Sequence, residues 1–568
     1  MIDMNKSIGK LLLCLALPMG GAVAGLMLPS CSDKWDDHYA TLSIGEGSIW
    51  ATMSKNADVS NFQAVLEACG YADLLDGSQA FTVFAPVNDN FTATMRDSVI
   101  NLYKTEKAAG VKETRNKAIK EFVMNHIALY NHSVSSLTND SIVMMNGKYA
   151  VLKNNSFDGM KLEATNMMSS NGILYKVAGQ TTYLPNIYEY LGRDSDLDSV
   201  RSYIYSYSID EFIAEQSVPG PIVDGQTQYL DSVTKLTNKL MSSWMDAELD
   251  VEDSTYWFLA PTNEVWNKIV PQYERYFQYD AKVAGRDSLM YNYPRIFALS
   301  GTTFSRTVNT DKLIQDSAAV FSTWASSFTS RVYSWGKGFN RYYIFDNPFD
   351  EGGIFESTVD VQCSNGLVKK ADLVNWKVDS LRTVLRSNLR EGEYGGTIDS
   401  VYSISTSDPV YYSVASNNPF YNKVSKNMFV EIAPTSTSNI KVLFDIYNVL
   451  SNVPYDVYLV AVPLTAKDTL LTPLPTKFRA TFYYHDMTGK EVNVKQTSKD
   501  PFVTDAYNVD TVYVGTYTFP TCSMGLDDAQ VKMLVQGNTS ATEVRNGTGT
   551  KTLLVDCIIF KPHVSDGE

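Results

Sequence analysis

Apolar positions along this chain follow three patterns. Leu11 to Leu28 is almost continuously apolar and stands behind Lys6 and Lys10. In the middle, two short apolar runs end in the same way. One is Phe81-Thr82-Val83-Phe84-Ala85-Pro86-Val87-Asn88-Asp89-Asn90-Phe91; the other is Tyr256-Trp257-Phe258-Leu259-Ala260-Pro261-Thr262-Asn263-Glu264-Val265-Trp266. Beyond about residue 379 the runs shorten and several alternate with period two, as in Lys441-Val442-Leu443-Phe444-Asp445-Ile446-Tyr447.

The two central runs predict buried strands that end at a proline, since proline removes a ladder donor. Asn88 and Asn263 then read as helix N-caps, with Asp89 and Glu264 in the first turn against the positive end of the dipole. Phe91 and Trp266 point back at the core. The segment is a buried strand-to-helix corner without chemistry of its own, and it occurs twice. A second pair of marks follows each corner. Ser170-Asn171-Gly172-Ile173-Leu174 comes after the first and Ser364-Asn365-Gly366-Leu367-Val368 after the second. Asn-Gly between apolar runs is a hairpin signal, because both residues tolerate positive φ. The second copy is longer between these marks.

A Thr-Val-Phe-Ala-Pro-x-Asn segment followed by Ser-Asn-Gly resembles the fasciclin-like domain. The first copy also has Asn61-Phe62-Gln63-Ala64-Val65-Leu66 upstream and Tyr183-Leu184-Pro185 at its end. The second has Trp257 in place of the Thr, Trp266 in place of the Phe, and a tail, Leu373-Val374-Asn375-Trp376, without the closing Pro. The resemblance implies a compact α+β fold associated with cell adhesion and extracellular binding, with no shared catalytic activity. Some relatives bind partners through a Tyr-His pair. Here that place reads Asn125-His126, and the second copy has Tyr293-Pro294-Arg295-Ile296 with no His. His126 is therefore expected to be structural.

Seven strand-like runs separated by turn signals lie in the last third: Met428 to Ile432, Ile440 to Tyr447, Tyr455 to Val462, Phe478 to Tyr484, Thr511 to Phe519, Gln530 to Val535 and Thr552 to Phe560. They predict an antiparallel β-sandwich. Its last run resembles the closing strand of galactose-binding-like jelly rolls. The expected fold is α+β: signal peptide 1–30, tether 31–42, fasciclin-like domains over 43–190 and 195–378, and a β-sandwich over 379–568.

The N-terminal stretch has the basic flank and apolar core of a signal peptide. Leu28-Pro29-Ser30-Cys31 resembles the lipobox of bacterial lipoproteins. That resemblance implies cleavage before Cys31 and lipidation of its thiol; an ordinary cleaved signal is the alternative. Ser32-Asp33-Lys34-Trp35-Asp36-Asp37 resembles the surface-export signal of lipoproteins in gut-type Gram-negative bacteria, with a plain solvated tether as the alternative. The address implied is the outer membrane, lipid-anchored and facing outward. SusC/SusD-type glycan-uptake proteins are the partners that such an address implies.

The chain's net charge of −15, without basic clusters, argues against nucleic acid as a partner. Its five histidines show no metal-ligand spacing, and no nucleophile elbow or phosphate loop is present. No cofactor, metal or catalytic residue is expected. Paired carboxylates of a glycoside hydrolase are spatial, so that alternative stays open. Asp194-Ser195-Asp196-Leu197-Asp198 has a calcium-like beginning, but Ser199 and Tyr205 stand where an EF-hand needs Gly and Glu; it reads as an acidic linker or helix start. His485-Asp486-Met487-Thr488-Gly489-Lys490 reads as a hairpin turn. Cys69, Cys363, Cys522 and Cys557 read as free buried thiols, with a Cys522–Cys557 disulfide as the alternative.

Aromatics carry the candidate binding chemistry, and Tyr at 35 outnumbers Phe at 25. The extra length of the second copy holds Trp335, Phe339, Tyr342 and Tyr343, where rings either stack on sugars or pin their own hairpin. In the sandwich, Tyr411 and Tyr412 are the candidates. The function expected is a surface binding or adhesion protein that recognises glycans. A structural adhesin with protein partners only is the alternative, and a glycoside hydrolase a more distant one. Radiolabelled palmitate is expected to label the wild-type chain and to leave Cys31→Ala unlabelled and released from membranes; equal labelling of both would refute the anchor.

Overall fold

The computed structural model describes residues 47–563, except 217, 224–225, 232–233, 246, 306–319, 323–343, 347–350, 352–354, 372–384, 389–395 and 403–404. The described chain divides into two compact units, one running essentially to Thr181 and the other from Thr182 onward.

In the first unit, the strand Phe81–Pro86 is buried along its whole length. It pairs antiparallel with Ile127–Leu129 and parallel with Gly172–Val177 inside a seven-stranded sheet. Phe81, Val83 and Ala85 face a core shared with Phe62, Leu66, Phe91 and Phe122. Phe84 faces the other way and stacks on Phe157 at 3.6 Å. Burial on both faces is why the run is unbroken rather than alternating.

The second unit repeats this corner in register. Tyr256 pairs with Gly366 and Pro261 with Ala371, as Phe81 pairs with Gly172 and Pro86 with Val177. In both copies the glycine is obligatory. A Cβ on Gly172 would lie 2.0 Å from the Phe81 carbonyl oxygen, and one on Gly366 would lie 1.8 Å from that of Tyr256.

Two expectations about the motif asparagines need correction. Asn88 and Asn263 do not cap the helices that follow them. Those helices, Ala93–Ala108 and Asn263–Glu274, are capped by the hydroxyls of Thr92 and Thr262. The asparagines reach sideways instead. Asn88 Oδ1 accepts the Asn61 N–H at 3.0 Å and Asn263 Oδ1 accepts the Ser199 N–H at 2.8 Å, each in the first turn of an earlier helix. Glu264 does fall in the first turn, whereas Asp89 lies in the turn before its helix. Asn171 and Asn365 do sit in two-residue hairpin connections, but without positive φ. Their amides are buried. Asn171 accepts from the Ile49 N–H at 2.7 Å and donates to the Leu75 and Gly77 carbonyls. Asn365 accepts from the Ile187 N–H at 2.8 Å and donates to the Leu249 and Val251 carbonyls.

The last third forms two antiparallel six-stranded sheets. All seven expected strands occur, each with its ends shifted by two residues at most. Val442, Phe444, Phe482 and Met533 from one sheet meet Val457, Leu459, Val555 and Phe560 from the other. The additional strands, such as Leu385–Asn388, Val410–Ser413 and Glu491–Lys495, are short, polar or peripheral.

Residue 379 is not a boundary in packing. The second copy and the sandwich share one hydrophobic core. The segment 275–282 is bonded along its length to sandwich loops. The Arg275 carbonyl accepts from Ser451 Oγ and Asn452 Nδ2 at 2.9 and 2.8 Å. The Gln278 carbonyl accepts the Cys522 N–H at 2.6 Å, and the buried Tyr279 hydroxyl donates to the Met524 carbonyl at 2.9 Å.

Cys69, Cys363, Cys522 and Cys557 are buried and not in disulfides. Asp194 and Asp196 sit at a helix start and pair with Lys370 Nζ at 2.9 and 2.7 Å. The 486–490 segment is a hairpin turn, as expected. Replacing Gly366 by Ala should destabilise the second unit by about 3 kcal/mol or more, because backbone must move. Gly285 has the milder left-handed φ of +69° and stands in open space, so Gly285→Ala should cost about 1 kcal/mol; thermal melts of the two variants check the contrast.

Candidate functional site

Cys31, Trp335, Phe339, Tyr342 and Tyr343 lie outside the described residues. Tyr411 and Tyr412 are on the strand Val410–Ser413, which ends its sheet. Being successive strand residues, they point to opposite faces. Tyr411 is exposed. Tyr412 stacks on Phe429 at 5.8 Å, with Lys467 Nζ 4.5 Å from its ring centre. The pair therefore does not form one platform.

His126 is fully buried against Phe62 and Phe122. Its Nδ1 lies 2.7 Å from the Phe122 carbonyl and its Nε2 accepts the Thr181 N–H at 3.1 Å. That pattern fits a neutral ring protonated on Nδ1. Burial pushes its pKa down to about 4. It is a structural histidine, as the sequence implied, and is closed to a partner.

A cleft of about 410 Å³ lies where the second copy meets the sandwich, lined by Asp280, Lys282, Leu289, His485, Leu526 and Gln530 among others. Asp280 is only 2% exposed, accepts the Lys282 N–H at 2.7 Å and lies 3.3 Å from His485 Nδ1. Lys282 Nζ donates to the Gly489 carbonyl at 2.7 Å. Asp280, Lys282 and His485 are engaged in joining the second copy to the sandwich. Gln530 Oε1 is buried without a hydrogen-bond partner.

A second cluster lies on the outer face of the sheet containing Pro454–Ala461 and Asp510–Thr518. Tyr455, Val457 and Leu459 face the core, so Asp456 and Tyr458 face out. The pairing of the two strands is offset by a bulge at Val514–Gly515. The extra residue places both Tyr513 and Thr516 on the outer face, three positions apart instead of two. Gly515 suits the bulge with φ at +141° and leaves room for the Tyr517 ring.

Tyr458 and Tyr513 are directly paired, with ring centres 5.3 Å apart. Tyr513 is 49% exposed. Thr516 Oγ1 donates to Asp456 Oδ1 at 2.5 Å, and the Tyr513 hydroxyl lies 2.7 Å from Thr516 Oγ1. His563 Nδ1 reaches the same carboxylate at 3.0 Å. Burial opposes the charge on Asp456, but the Thr516 and His563 hydrogen bonds hold its pKa below the usual carboxylate range. Sequence reasoning passed over this cluster. Its signals were Tyr458 on the polar face of an alternating strand and a glycine inside the run after Tyr513.

Residues 57–179 match the fasciclin domain. Human stabilin-1 is 26% identical over 157 residues, covering 26% of this chain and 6% of stabilin-1. The FAS1 domain pair of the insect cell adhesion molecule fasciclin I aligns at 11% identity and a TM-score of 0.19, covering 58% of this chain and 99% of that one. The CBM22-1 xylan-binding domain of Paenibacillus barcinonensis Xyn10C aligns at 10% identity and a TM-score of 0.21, covering 32% of this chain and 97% of that one. The CBM22-1–GH10 modules of Clostridium thermocellum xylanase 10B align at 9% identity and a TM-score of 0.22, covering 32% and 29% of the two chains.

An acid dependence follows from His126. The unfolded chain takes up a proton near pH 6.5, whereas the folded chain refuses it until about pH 4. The contribution is complete above pH 6.5 and is lost as pH falls to about 4, with a span of about 3 kcal/mol. Urea titrations read by pulsed hydrogen exchange over 118–128 should show that loss in the wild type and a much flatter response in His126→Gln.

Proposed function

We propose that this chain, whose residues 57–179 form a fasciclin domain, is a surface-displayed binding and adhesion protein. The fasciclin domain is the observation that carries the reading. The shared strand register, obligatory glycine and buried asparagine clamp support a second domain of the same kind from residue 182 onward. In this reading Cys31 carries the lipid that holds the chain on the outer membrane. Acyl anchoring contributes about 0.8 kcal/mol per buried CH₂.

The ligand class we propose is glycan, with the protein serving as an accessory of a SusC/SusD-type uptake system. Support comes from the export-like segment behind Cys31 and from amphipathic tyrosines on the sandwich. Their rings offer an apolar face and a polar tip together, which is what a sugar surface demands.

Purified residues 32–568 coupled to beads should adhere to plates coated with cell-wall or dietary polysaccharide. Adhesion only to protein-coated plates overturns the glycan part and leaves a protein-directed adhesin. Beads inert on every surface overturn the adhesion reading itself.

A further inference from the structure

We propose that Tyr458 and Tyr513, with Asp456 and Thr516, form a glycan-binding platform on the outer face of the sandwich, an inference that rests on the glycan reading above. Four features of the cluster carry it.

The first is the bulge. A regular strand would turn Thr516 away from Tyr513, and the Val514–Gly515 offset brings them to one face. Bulges are a recurrent means of re-aiming a side chain at a site. The second is the direction of the hydrogen bonds. Thr516 gives its proton to Asp456, so it accepts from Tyr513. The Tyr513 ring is thereby held before a ligand arrives, and its oxygen lone pairs remain for a donor. Holding a ring in advance lowers the ordering cost of binding.

The third is the carboxylate. Asp456 has about four acceptor sites, and its neighbours leave some of that capacity unused. The fourth is position. The strand Asp510–Thr518 ends its sheet, and Tyr513 stands on it half exposed. Two rings flanked by a carboxylate and a hydroxyl match a pyranose, whose C–H face is apolar and whose rim donates hydrogen bonds. An apolar peptide side chain would leave Asp456 without a new donor.

The test is affinity electrophoresis of residues 32–568 through gels containing arabinoxylan, galactomannan, xyloglucan or amylopectin. Wild type should be retarded by at least one of them. Tyr458→Ala and Tyr513→Ala should each weaken that retardation roughly tenfold, the scale of one lost stacking contact with its hydrogen bond. Tyr513→Phe keeps the ring and should lose about threefold or less. Thermal melts matching the wild type exclude misfolding of these surface variants. If wild type is retarded and the alanine variants are retarded equally, the platform is wrong and the glycan reading survives. If no polysaccharide retards wild type, both fall.

Discussion

A glycine pressed against a carbonyl sets the architecture of both units. Gly172 and Gly366 open the strands that lie parallel to Phe81–Pro86 and Tyr256–Pro261, and neither position has room for a Cβ. The asparagine before each glycine then satisfies three backbone groups from segments far apart in sequence. Buried backbone groups without partners are costly, so each clamp fixes several chain crossings at once. The central strands can be buried almost throughout because these corners supply much of the polar closure.

What the sequence made legible follows from locality. The alternation in Lys441–Ile446 reports a strand with one buried face, and the structure has that strand. The Ala-Pro corner reports a strand end, and both strands end there. Asn88 and Asn263 were misread because their partners belong to another helix, a relation that spacing does not encode. The tyrosine pair was missed for a similar reason. Tyr458 and Tyr513 meet through strand pairing, and a bulge decides which face Thr516 occupies. Glu491–Lys495 does alternate, with Val492 and Val494 set between polar residues, but over only five residues, and it pairs at the end of its sheet.

The repeated motifs are spent on closure, and His126 is sealed inside its core. Among the described residues, Asp456 and Tyr513 of the sandwich face solvent beside one another, on strands paired through a bulge.

The bonded segment 275–282 has a consequence for how such a chain arises. Domains that exchange freely between proteins carry their own complete core and a loose linker. Here the sandwich lacks that independence, since Tyr279 and Phe277 fill apolar space beneath its loops. Recombination that lifted the last third out alone would leave that space empty and the Cys522 and Ser451 loops without their partners. Packing makes the second copy and the sandwich one compact unit, to be expressed or excised together.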